Sequence, residues 1–520
     1  MPTLPPPVWG AVRKVVAMDV KKVLGLVLLV GVLVFSQAGT ATTPVAGGSI
    51  SAPHGVKNVI LIIGDGMGFA HLQLTRLVYG PLNIEKMPYS GVEMTYSRSG
   101  EVTDSAASAT ALATGIMTYN GMISTVKEGG KTYTLTTVLE LAKALGKSTG
   151  LVTTTRITHA TPAAFGAHVE DRDMEAEIAK QLVENRVNVL FGGGKKYFDD
   201  ETLNLAKAYG YQVVFDKAGL ESASGDYVLG LFSSSHIPYV LDRTENDVGL
   251  LDMTKKAIEL LEKNPNGFFL MIEAGRIDHA SHGNDIAAAL AETKELDDVV
   301  GYVLEYARQR GDTLVVVTAD HETGGLAMGT NYGKVVDVQG ILNIKASTGT
   351  MAAEIKNGGD IKEVVKKYTG IELSDDEVAY IQKRAEEDPK YGLSNGIGEV
   401  LAERLGVRFA SHKHTGEPVP LFAYGPGASK FIGFHHHTQT GRLIAELMVY
   451  GVGTINVAFA GTSTVEGDLN GDHRVDAKDA YLVLRLFLGA TVDDDTERAI
   501  DMDGNGIIDL GDVVAILQGA

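Results

Sequence analysis

The sequence predicts an α/β fold in which helices cover both faces of a mostly parallel sheet. Five apolar runs rich in Val, Ile, Leu and Phe alternate with helical patterns, of which Met174–Glu184 and Asp285–Gln309 are the clearest. Such near-continuous apolar runs are typical of strands buried on both faces of a parallel sheet, and their alternation with helices favours the α/β class. The predicted strands are Asn58–Gly64, Ser148–Thr153, Asn188–Phe191, Phe268–Glu273 and Thr313–Ala319.

The composition fits a globular enzyme and argues against nucleic acid as a binding partner. The 520 residues carry a formal net charge of −19, whereas phosphate backbones select basic surfaces. The 61 glycines suit a fold with many tight strand-to-helix turns. The chain has no cysteine, which excludes disulfides and thiolate metal sites.

The N-terminal segment has the pattern of an export signal. Two lysines precede the apolar run Val23–Phe35, and small residues follow it up to Ala41. This order matches the charged, apolar and cleavage regions of a signal peptide. A retained membrane anchor is the alternative, although the run is short for a spanning helix. We therefore expect an exported protein, secreted or associated with the cell surface, with a signal peptide at 1–41 or from Met18 if translation starts there.

Composition divides the rest of the chain into four parts. Residues 42–54 are rich in Thr, Ser, Gly and Pro and are expected to form a linker. A large α/β domain is predicted at 55–450, with a polar helical insertion at 335–408. A second linker is predicted at 451–465, followed by an internal repeat at 466–520 that we expect to form a separate module.

Three acidic residues lie at the carboxyl ends of predicted strands. Asp65 follows the first strand, Glu273 ends the fourth and Asp320 follows the fifth. The ligand crevice of an open parallel sheet lies at this edge. One such residue could equally be a helix N-cap, but three of them beside other ligand-type residues indicate a shared site.

Histidines and a further aspartate accompany these acids. Asp278 and His282 are four residues apart, so a helix would place them on one face. His321 directly follows Asp320, and His414 precedes an apolar run. Imidazole and carboxylate without thiolate suit Zn²⁺ with an open position for substrate, although any one of these histidines alone would more often be structural.

Ser105 is the candidate nucleophile. Small helix-forming residues follow it until Gly115, so it would stand at a helix N-terminus. The helix dipole and free N–H groups favour an alkoxide and a bound anion there. The simpler alternative is that Ser105 serves only as the N-cap.

Several motifs together, in the same order, resemble those of the alkaline phosphatase family. The resemblance extends from about Lys57 to Tyr450 and implies the family's fold, hydrolysis of small-molecule phosphate monoesters and a homodimer. The motifs are Gly64-Asp65-Gly66-Met67-Gly68, Asp104-Ser105-Ala106, Glu273-Ala274-Gly275-Arg276-Ile277-Asp278-His279 with His282, Thr318-Ala319-Asp320-His321-Glu322-Thr323-Gly324-Gly325, and His414-Thr415-Gly416.

The resemblance implies two zinc ions and one magnesium ion at this site. Two cations about 4 Å apart can stabilise both the entering and the leaving oxygen of an in-line displacement. By resemblance, the ligands are Asp278, His282 and His414 for one zinc, Asp65, Asp320 and His321 for the other, and Asp65, Glu273 and Thr161 for magnesium.

The resemblance also assigns the residues that act on the phosphate. Ser105 matches the nucleophile, and Arg172, which Asp104 would help to orient, matches the arginine that grips phosphate. His159, at the third metal, and His279, which would position substrate or water, are histidines where some bacterial members carry Asp and Lys. Imidazole near the third metal favours Zn²⁺ or Co²⁺ over Mg²⁺, so the identity of this metal stays open.

A run of three histidines, 435–437, falls outside the matched ligands. We expect a surface loop there.

The C-terminal repeat has the ligand spacing of calcium-binding loops. Oxygen ligands recur at positions 1, 3, 5, 9 and 12, with a backbone carbonyl at position 7 and Asp instead of Glu at position 12. The predicted ligands are Asp468, Asn470, Asp472, Arg474, Asp476 and Asp479 in the first loop and Asp501, Asp503, Asn505, Ile507, Asp509 and Asp512 in the second. Paired loops of this kind resemble a type I dockerin, which implies two calcium ions and a cohesin-like protein partner.

Two other functions fit parts of the sequence. A phosphodiesterase or phosphomutase of the same superfamily would use similar metal ligands, but Arg172 and the serine nucleophile favour the monoesterase. An inert scaffold or adhesion protein could depend on the dockerin-like repeat alone, but the retained catalytic positions weigh against it.

Overall fold

A computed structural model describes residues 56–100, 102–329 and 335–450. Towards the C-terminus it describes residues 469, 475, 477–487, 501, 502, 505 and 507–519. The predicted signal peptide and both predicted linkers lie outside the described residues. Within these ranges, no helix is both long enough and apolar enough to cross a membrane.

The centre of the fold is a ten-stranded, mostly parallel sheet, as predicted. Its strands are β1 Asn58–Gly64, β2 Tyr89–Met94, β5 Ser148–Arg156, β6 Val189–Gly193, β7 Gln212–Val214, β8 Val228–Leu231, β9 Phe268–Ala274, β10 Thr313–Thr318, β15 Val419–Tyr424 and β16 Gly433–His436. They lie in the order β16-β2-β15-β10-β1-β9-β5-β6-β8-β7, and within this sheet β15 alone runs antiparallel to its neighbours. Three small pairs are formed by β3 Thr125–Glu128 with β4 Lys131–Thr134, β11 Glu322–Thr323 with β14 His414–Thr415, and β12 Leu326–Met328 with β13 Val407–Phe409.

Helices cover both faces of this sheet. They are α1 Phe69–Tyr79, α2 Ser105–Thr114, α3 Val138–Ala144, α4 Ala160–Gly166, α5 Glu175–Glu184, α6 Asp200–Ala208, α7 Lys217–Ser222, α8 Leu250–Leu261, α9 Arg276–His282 and α10 Ile286–Arg310. A run of helices follows in the predicted insertion: α11 Val338–Leu342, α12 Thr348–Lys356, α13 Ile361–Thr369, α14 Asp375–Glu387 and α15 Gly392–Arg404. Helix α16 (His437–Tyr450) ends the large domain, and α17 (Ala477–Phe487) and α18 (Leu510–Gly519) lie in the repeat.

Alternating side chains of the central strands fill two separate cores. In β1, Val59, Leu61 and Ile63 belong to one core, whereas Ile60 and Ile62 belong to the other. All five are fully buried, and each contributes about 1.5–3 kcal/mol relative to an exposed side chain. This burial on both faces explains why the strand is apolar at every position.

The two helices of the C-terminal repeat pack on the large domain. Both α17 and α18 contribute to the core beneath α3 and α16. The ring of Phe487 lies 4.6 Å from the guanidinium of Arg442, and a Cβ at Gly115 would lie 2.7 Å from this ring. The apolar side of these helices therefore faces the large domain. The division of the chain into a large domain and a separate module stays a prediction.

The run of three histidines is not a surface loop, so this expectation was wrong. His435, His436 and His437 are at most 9% exposed, at the end of β16 and the start of α16. His436 Nε2 lies 2.9 Å from the carbonyl oxygen of Tyr96, and His437 Nε2 lies 2.9 Å from that of Ala319. For His436 and His437, distant backbone acceptors compensate for the burial of the polar ring.

Candidate metal centre and nucleophile

Three central strands bring acidic residues to one edge of the sheet. β1 lies between β9 and β10, and Ile63 pairs with Glu273 on one side and with Thr318 on the other. Asp65 directly follows β1, and Asp320 is two residues beyond β10. The parallel register therefore brings together the three acids that were predicted to share a site.

The turn after β1 requires a glycine. Gly66 has a φ of 76°, in the left-handed region that favours glycine, and its amide donates a 3.0 Å hydrogen bond to Asp320 Oδ1. A Cβ here would lie only 2.8 Å from the Cα of Asp278. The absence of a side chain lets this turn approach α9, which carries Asp278.

Asp278, His282 and His414 form the first group of candidate ligands. The Nε2 atoms of the two histidines are 3.2 Å apart and lie 3.3 and 3.5 Å from Asp278 Oδ1. A tetrahedral zinc site with metal–ligand distances of about 2.0–2.1 Å has edges of about 3.3 Å. The three atoms therefore have the spacing of one face of such a site.

Asp65, Asp320 and His321 form the second group. His321 Nε2 lies 3.1 Å from Asp320 Oδ2 and 3.6 Å from Asp65 Oδ1, and all three residues are fully buried. Ser105 Oγ lies 3.2 Å from the same histidine nitrogen. The candidate nucleophile thus borders the second group of ligands.

The three ligand histidines are oriented through their Nδ1 atoms. His282 Nδ1 lies 2.7 Å from the carbonyl oxygen of His412, and His414 Nδ1 lies 3.0 Å from that of Thr103. His321 Nδ1 lies 3.2 Å from the hydroxyl of Thr323. Because a carbonyl oxygen only accepts, His282 and His414 carry a proton on Nδ1. In its neutral form, such a ring directs an Nε2 lone pair into the site, the usual arrangement of metal-binding histidines.

Asp65 also belongs to a third group, with Glu273 and His159. Their potential ligand atoms lie within 4.8 Å of one another. Two threonine hydroxyls of β5 donate to Glu273 Oε2, and Thr161, in the first turn of α4, lies beside the same carboxylate. The residues predicted for the third metal are therefore assembled in one place.

The acidic side chains of the three groups are close together and shielded from water. Asp65, Glu273, Asp278 and Asp320 are at most 4% exposed. Burial, followed by repulsion from the other three carboxylates, raises the pKa of Asp65 well above its usual range. Burial raises the pKa of Glu273 to about 7. Bound cations would remove this penalty, because buried like charges are stable when they coordinate metals.

Unsatisfied polar atoms of the same residues also fit bound metals. The buried atoms without a hydrogen-bond partner in the described part of the chain include six of these residues' atoms: Oδ1 and Oδ2 of Asp65, Oδ2 of Asp320, Oε1 of Glu273, Oγ1 of Thr161 and Nδ1 of His159. Each such atom costs about 1–3 kcal/mol if nothing satisfies it. Their concentration at one edge of the sheet indicates ligand positions rather than scattered packing defects.

Ser105 is the first residue of α2, and its neighbour Asp104 is the N-cap. Asp104 Oδ1 accepts a 2.9 Å hydrogen bond from the amide of Ala107. Because Asp104 performs the capping, the alternative role of Ser105 as the N-cap does not apply. The hydroxyl of Ser105 faces His321 at the positive end of the helix dipole.

Arg172 reaches the same helix end. Its Nη1 donates a 3.0 Å hydrogen bond to Asp104 Oδ2, and its Nη2 lies 3.3 Å from His159 Nε2. His279, whose ring centroid lies 5.6 Å from that of His159, completes the set of predicted site residues. All predicted site residues of the large domain therefore surround one region.

Sequence reasoning missed His236, a third histidine in this region. Its ring centroid lies 4.3 Å from that of His279 and 5.6 Å from that of His159, and Arg156 Nη1 lies 2.5 Å from its Nε2. His236 follows β8, a four-residue strand that was not predicted. Recognition of β8 would have placed His236 at the carboxyl edge of the sheet.

The calcium ligands predicted in the repeat are only partly described. Asp468, Asn470, Asp472, Arg474, Asp476 and Asp503 lie outside the described residues. In the first copy, Asp479 Oδ1 accepts a 2.8 Å hydrogen bond from the amide of Leu469, and in the second, Asp512 Oδ1 accepts a 2.6 Å bond from that of Met502. Position 12 thus contacts position 2 in both loops.

Comparisons with known proteins agree with this geometry. The family model described as alkaline phosphatase matches residues 56–450. Alkaline phosphatase 4 of Bacillus subtilis is 38% identical over 415 residues, which cover 76% of this chain and 89% of that protein. The crystal structure of a cold-active alkaline phosphatase from Shewanella sp. is 35% identical, with a TM-score of 0.70, and the match covers 75% of this chain and 99% of that one.

A further solved structure is also similar to this chain. It is a histidine-to-glutamate mutant of the TAB5 alkaline phosphatase, from an Antarctic bacterium, described with magnesium bound in its M3 site. It is 28% identical to this chain, with a TM-score of 0.58, and the match covers 76% of this chain and 98% of that one.

Proposed function

Because the chain belongs to the alkaline phosphatase family and is therefore a phosphatase, we propose that it hydrolyses phosphate monoesters through a phosphoserine at Ser105. The observation that carries this proposal is the 3.2 Å distance from Ser105 Oγ to His321 Nε2, beside buried ligand atoms without hydrogen-bond partners. A nucleophile at this position adjoins the charge that a bound metal would provide.

Two zinc ions are proposed for the first two ligand groups. Asp278, His282 and His414 would hold one zinc ion, and Asp65, Asp320 and His321 would hold the other. When bound, the ions supply positive charge that activates the serine and stabilises the leaving oxygen. The third group, Asp65, Glu273, Thr161 and His159, would hold magnesium, or zinc or cobalt because of its imidazole.

Ser105 would carry the phosphoryl group between two displacements. Its Oγ attacks phosphorus as the ester oxygen departs, and water then displaces the serine oxygen and releases phosphate. The start of α2 favours the negative charge that develops on the transferred group. His279 and His159 lie beside this region, where they would orient substrate or water.

Arg172 would bind two oxygens of the phosphoryl group. The guanidinium is a planar fork whose donors match phosphate geometry. Asp104 holds one edge of this fork and also caps the helix of Ser105. One carboxylate therefore sets the position of both the nucleophile and the phosphate-binding side chain.

The C-terminal repeat is proposed to bind two calcium ions and a cohesin-like protein. Support comes from the loop spacing and from the same contact between positions 12 and 2 in both copies. The N-terminal pattern supports export, and family resemblance supports a homodimer. The proposal therefore includes the location of the enzyme and its binding partners as well as its reaction.

Phosphatase assays with and without metals test the proposed reaction. The purified chain should hydrolyse an aryl phosphate monoester with zinc and magnesium, lose activity on chelation and recover it when both metals return. It should hydrolyse the matching diester far more slowly. Full activity after complete removal of zinc and magnesium would contradict the metal-dependent mechanism.

A pair of serine variants tests the nucleophile. Ser105→Ala should lower kcat by about 10³-fold or more while it retains zinc. Ser108→Ala removes a buried hydroxyl one turn along the same helix and is the matched control. It should stay within a few-fold of the wild type. Equal activities for the two variants would refute the assignment of Ser105.

A further inference from the structure

The end of α9 and the segment before β14, which lead to ligands of the first group, are joined by a reciprocal pair of hydrogen bonds. His282 Nδ1 donates to the carbonyl oxygen of His412, and His412 Nδ1 donates to the carbonyl oxygen of His282, both over 2.7 Å. Asn284 adds a 2.9 Å bond from its side-chain amide to the carbonyl of Ser411. His412 is two residues before His414, so these bonds join the segments of two candidate zinc ligands.

The other nitrogen of His412 reaches the helical insertion. His412 Nε2 donates to Glu399 Oε1 over 2.6 Å, and Glu399 lies on α15. The ring of His412 therefore spans from a backbone carbonyl of the metal site to a carboxylate of the insertion. Because both acceptors lack a proton, both ring nitrogens act as donors in this arrangement.

The carboxylate of Glu399 is itself held in place from α14. Arg384 donates from Nε to Oε2 and from Nη2 to Oε1, each over 3.1 Å. The hydroxyl of Tyr380 donates to Oε2 over 2.7 Å. A carboxylate with this many donors has a fixed orientation, so it can position the ring that it contacts.

We propose that Glu399 and His412 are positioning residues that hold His282 in its zinc-binding orientation. The inference rests on the proposed metal-dependent function, which assigns His282 to a zinc ion but assigns no role to Glu399 or His412. The carbonyl of His412 directs the His282 ring, and the His412 side chain fixes that carbonyl against the end of α9. Glu399 connects the helical insertion to the metal site through this contact.

This arrangement should determine how tightly the first zinc ion is held. Neither residue is a ligand, but a partner that orients a ligand histidine typically contributes about 10- to 100-fold to metal affinity. If the His412 ring is lost, the 411–414 segment can shift. The three ligands are then less well oriented before zinc binds, and the free energy of zinc binding becomes less favourable. The second zinc group contacts neither residue and should keep its affinity.

Zinc competition measures this effect independently of catalysis. Wild type, Glu399→Ala and His412→Ala are loaded with zinc and titrated with a chromophoric chelator, and the zinc that remains bound is counted by mass spectrometry. We expect each variant to bind one of its zinc ions about 10- to 100-fold more weakly and the other unchanged. The double variant should lose no more than the larger single effect, because both changes break the same connection.

His168→Ala is the matched control. His168 has the same arrangement, with Nδ1 3.1 Å from the carbonyl of Ser124 and Nε2 3.0 Å from Glu140 Oε1, but it touches none of the candidate ligands. Its loss should leave both zinc affinities within twofold of the wild type. Glu399→Gln keeps an acceptor oxygen and should lie closer to the wild type than Glu399→Ala.

The possible outcomes separate this proposal from the proposed function. A wild-type chain that binds zinc, with both single variants within twofold of it, overturns the positioning role alone. A wild-type chain that binds no zinc overturns the metal site and the positioning role together. Circular dichroism establishes whether each variant is folded. If one alanine variant is unfolded, the zinc affinity of the other tests the proposal. If neither folds, both residues serve the fold itself and the proposal is wrong.

Discussion

Arg172 and Asp104 are joined by a 3.0 Å hydrogen bond from Nη1 to Oδ2, and the other carboxylate oxygen of Asp104 caps the helix that begins at Ser105. A third donor, the amide of Gly121, also reaches Oδ2 over 3.0 Å. The carboxylate therefore sets the distance between the nucleophile and the guanidinium. The residue that caps α2 therefore also orients the side chain proposed to bind the phosphoryl group.

Replacement of Arg172 by lysine should weaken phosphate recognition. Arg172→Lys keeps the charge but loses the fork, so one of two charge-assisted bonds, each worth about 1.5–3 kcal/mol, disappears. We expect kcat/KM to fall about 10- to 100-fold and inorganic phosphate to inhibit less strongly. Arg186→Lys, outside the site, is the control. Unchanged inhibition by phosphate in Arg172→Lys would show that Arg172 does not bind the substrate.

Replacement of His159 by aspartate should change the metal preference of the third group. A carboxylate is a harder ligand than imidazole and suits Mg²⁺, which takes oxygen ligands. His159→Asp should therefore retain more magnesium after dialysis and require added magnesium for full activity, as measured by metal analysis and titration. His436→Asp also replaces a histidine, but outside the site, and should not gain magnesium. Identical magnesium content in His159→Asp and the wild type would argue against His159 as a ligand.

Removal of the C-terminal repeat should lower stability more than activity. The candidate catalytic residues and the candidate zinc and magnesium ligands all lie within 56–450. Helices α17 and α18, however, cover apolar surface of α3 and α16. A chain truncated after Gly461 should hydrolyse phosphate at a rate within a few-fold of the full chain and unfold at a lower temperature. Equal unfolding temperatures would show that the contact contributes no stability.

The same contact can be tested by a single substitution. Phe487→Ala, at a side chain only 6% exposed, should cost about 3–5 kcal/mol, whereas Phe434→Ala, at a side chain 74% exposed, should cost little. Thermal unfolding of the two variants makes the comparison. Equal losses would mean that Phe487 is not packed as described.

The His168–Glu140 pair should give a defined pH dependence of stability. Burial alone would lower the pKa of His168, but Glu140 outweighs it and raises this pKa above 6.5. Burial alone would raise the pKa of Glu140, but His168 outweighs it and lowers this pKa below 4.5. Because its pKa is raised, His168 stabilises the fold fully below pH 6.5 and loses this effect as the pH rises through the pKa of the folded state. Because its pKa is lowered, Glu140 stabilises the fold above pH 4.5 and loses this effect at lower pH. The pair is therefore strongest between these values.

Comparison of wild type with His168→Ala tests this window. The difference in unfolding free energy should reach about 1.5–3 kcal/mol near pH 6 and shrink towards pH 9, with metals present throughout. Lys143 and Asp509 also face the pair, so the comparison is made at constant salt. A difference that grows from pH 6 to pH 9 would contradict the assigned shifts.

The central strands were predictable because they are apolar along their whole length. β1 and β9 each lie within one residue of their predicted bounds, and the acids at their ends meet as expected. β7 and β16 have only three and four residues, too few for a periodic pattern to be recognised. The strands that place Asp65, Glu273 and Asp320 are therefore also the ones with the clearest sequence signal.

Contacts between distant segments could not be predicted from local patterns. His282 and His412 are 130 residues apart, and His236 and Arg156 are 80 apart. The run 435–437 is polar, which predicts a loop, yet its rings are buried. Backbone carbonyls more than 100 residues away accept the hydrogen bonds of His436 and His437. Only the tertiary arrangement supplies these partners.

The stereochemical course at phosphorus tests the central claim, a phosphoserine at Ser105, most directly. Transfer to Ser105 and then to an acceptor alcohol involves two in-line displacements, and each inverts the configuration at phosphorus. With a monoester whose phosphorus is chiral by oxygen isotopes, the transferred group should show overall retention, and Ser105→Ala should form no such product at a comparable rate. Overall inversion would mean a single direct displacement and would contradict the phosphoserine intermediate.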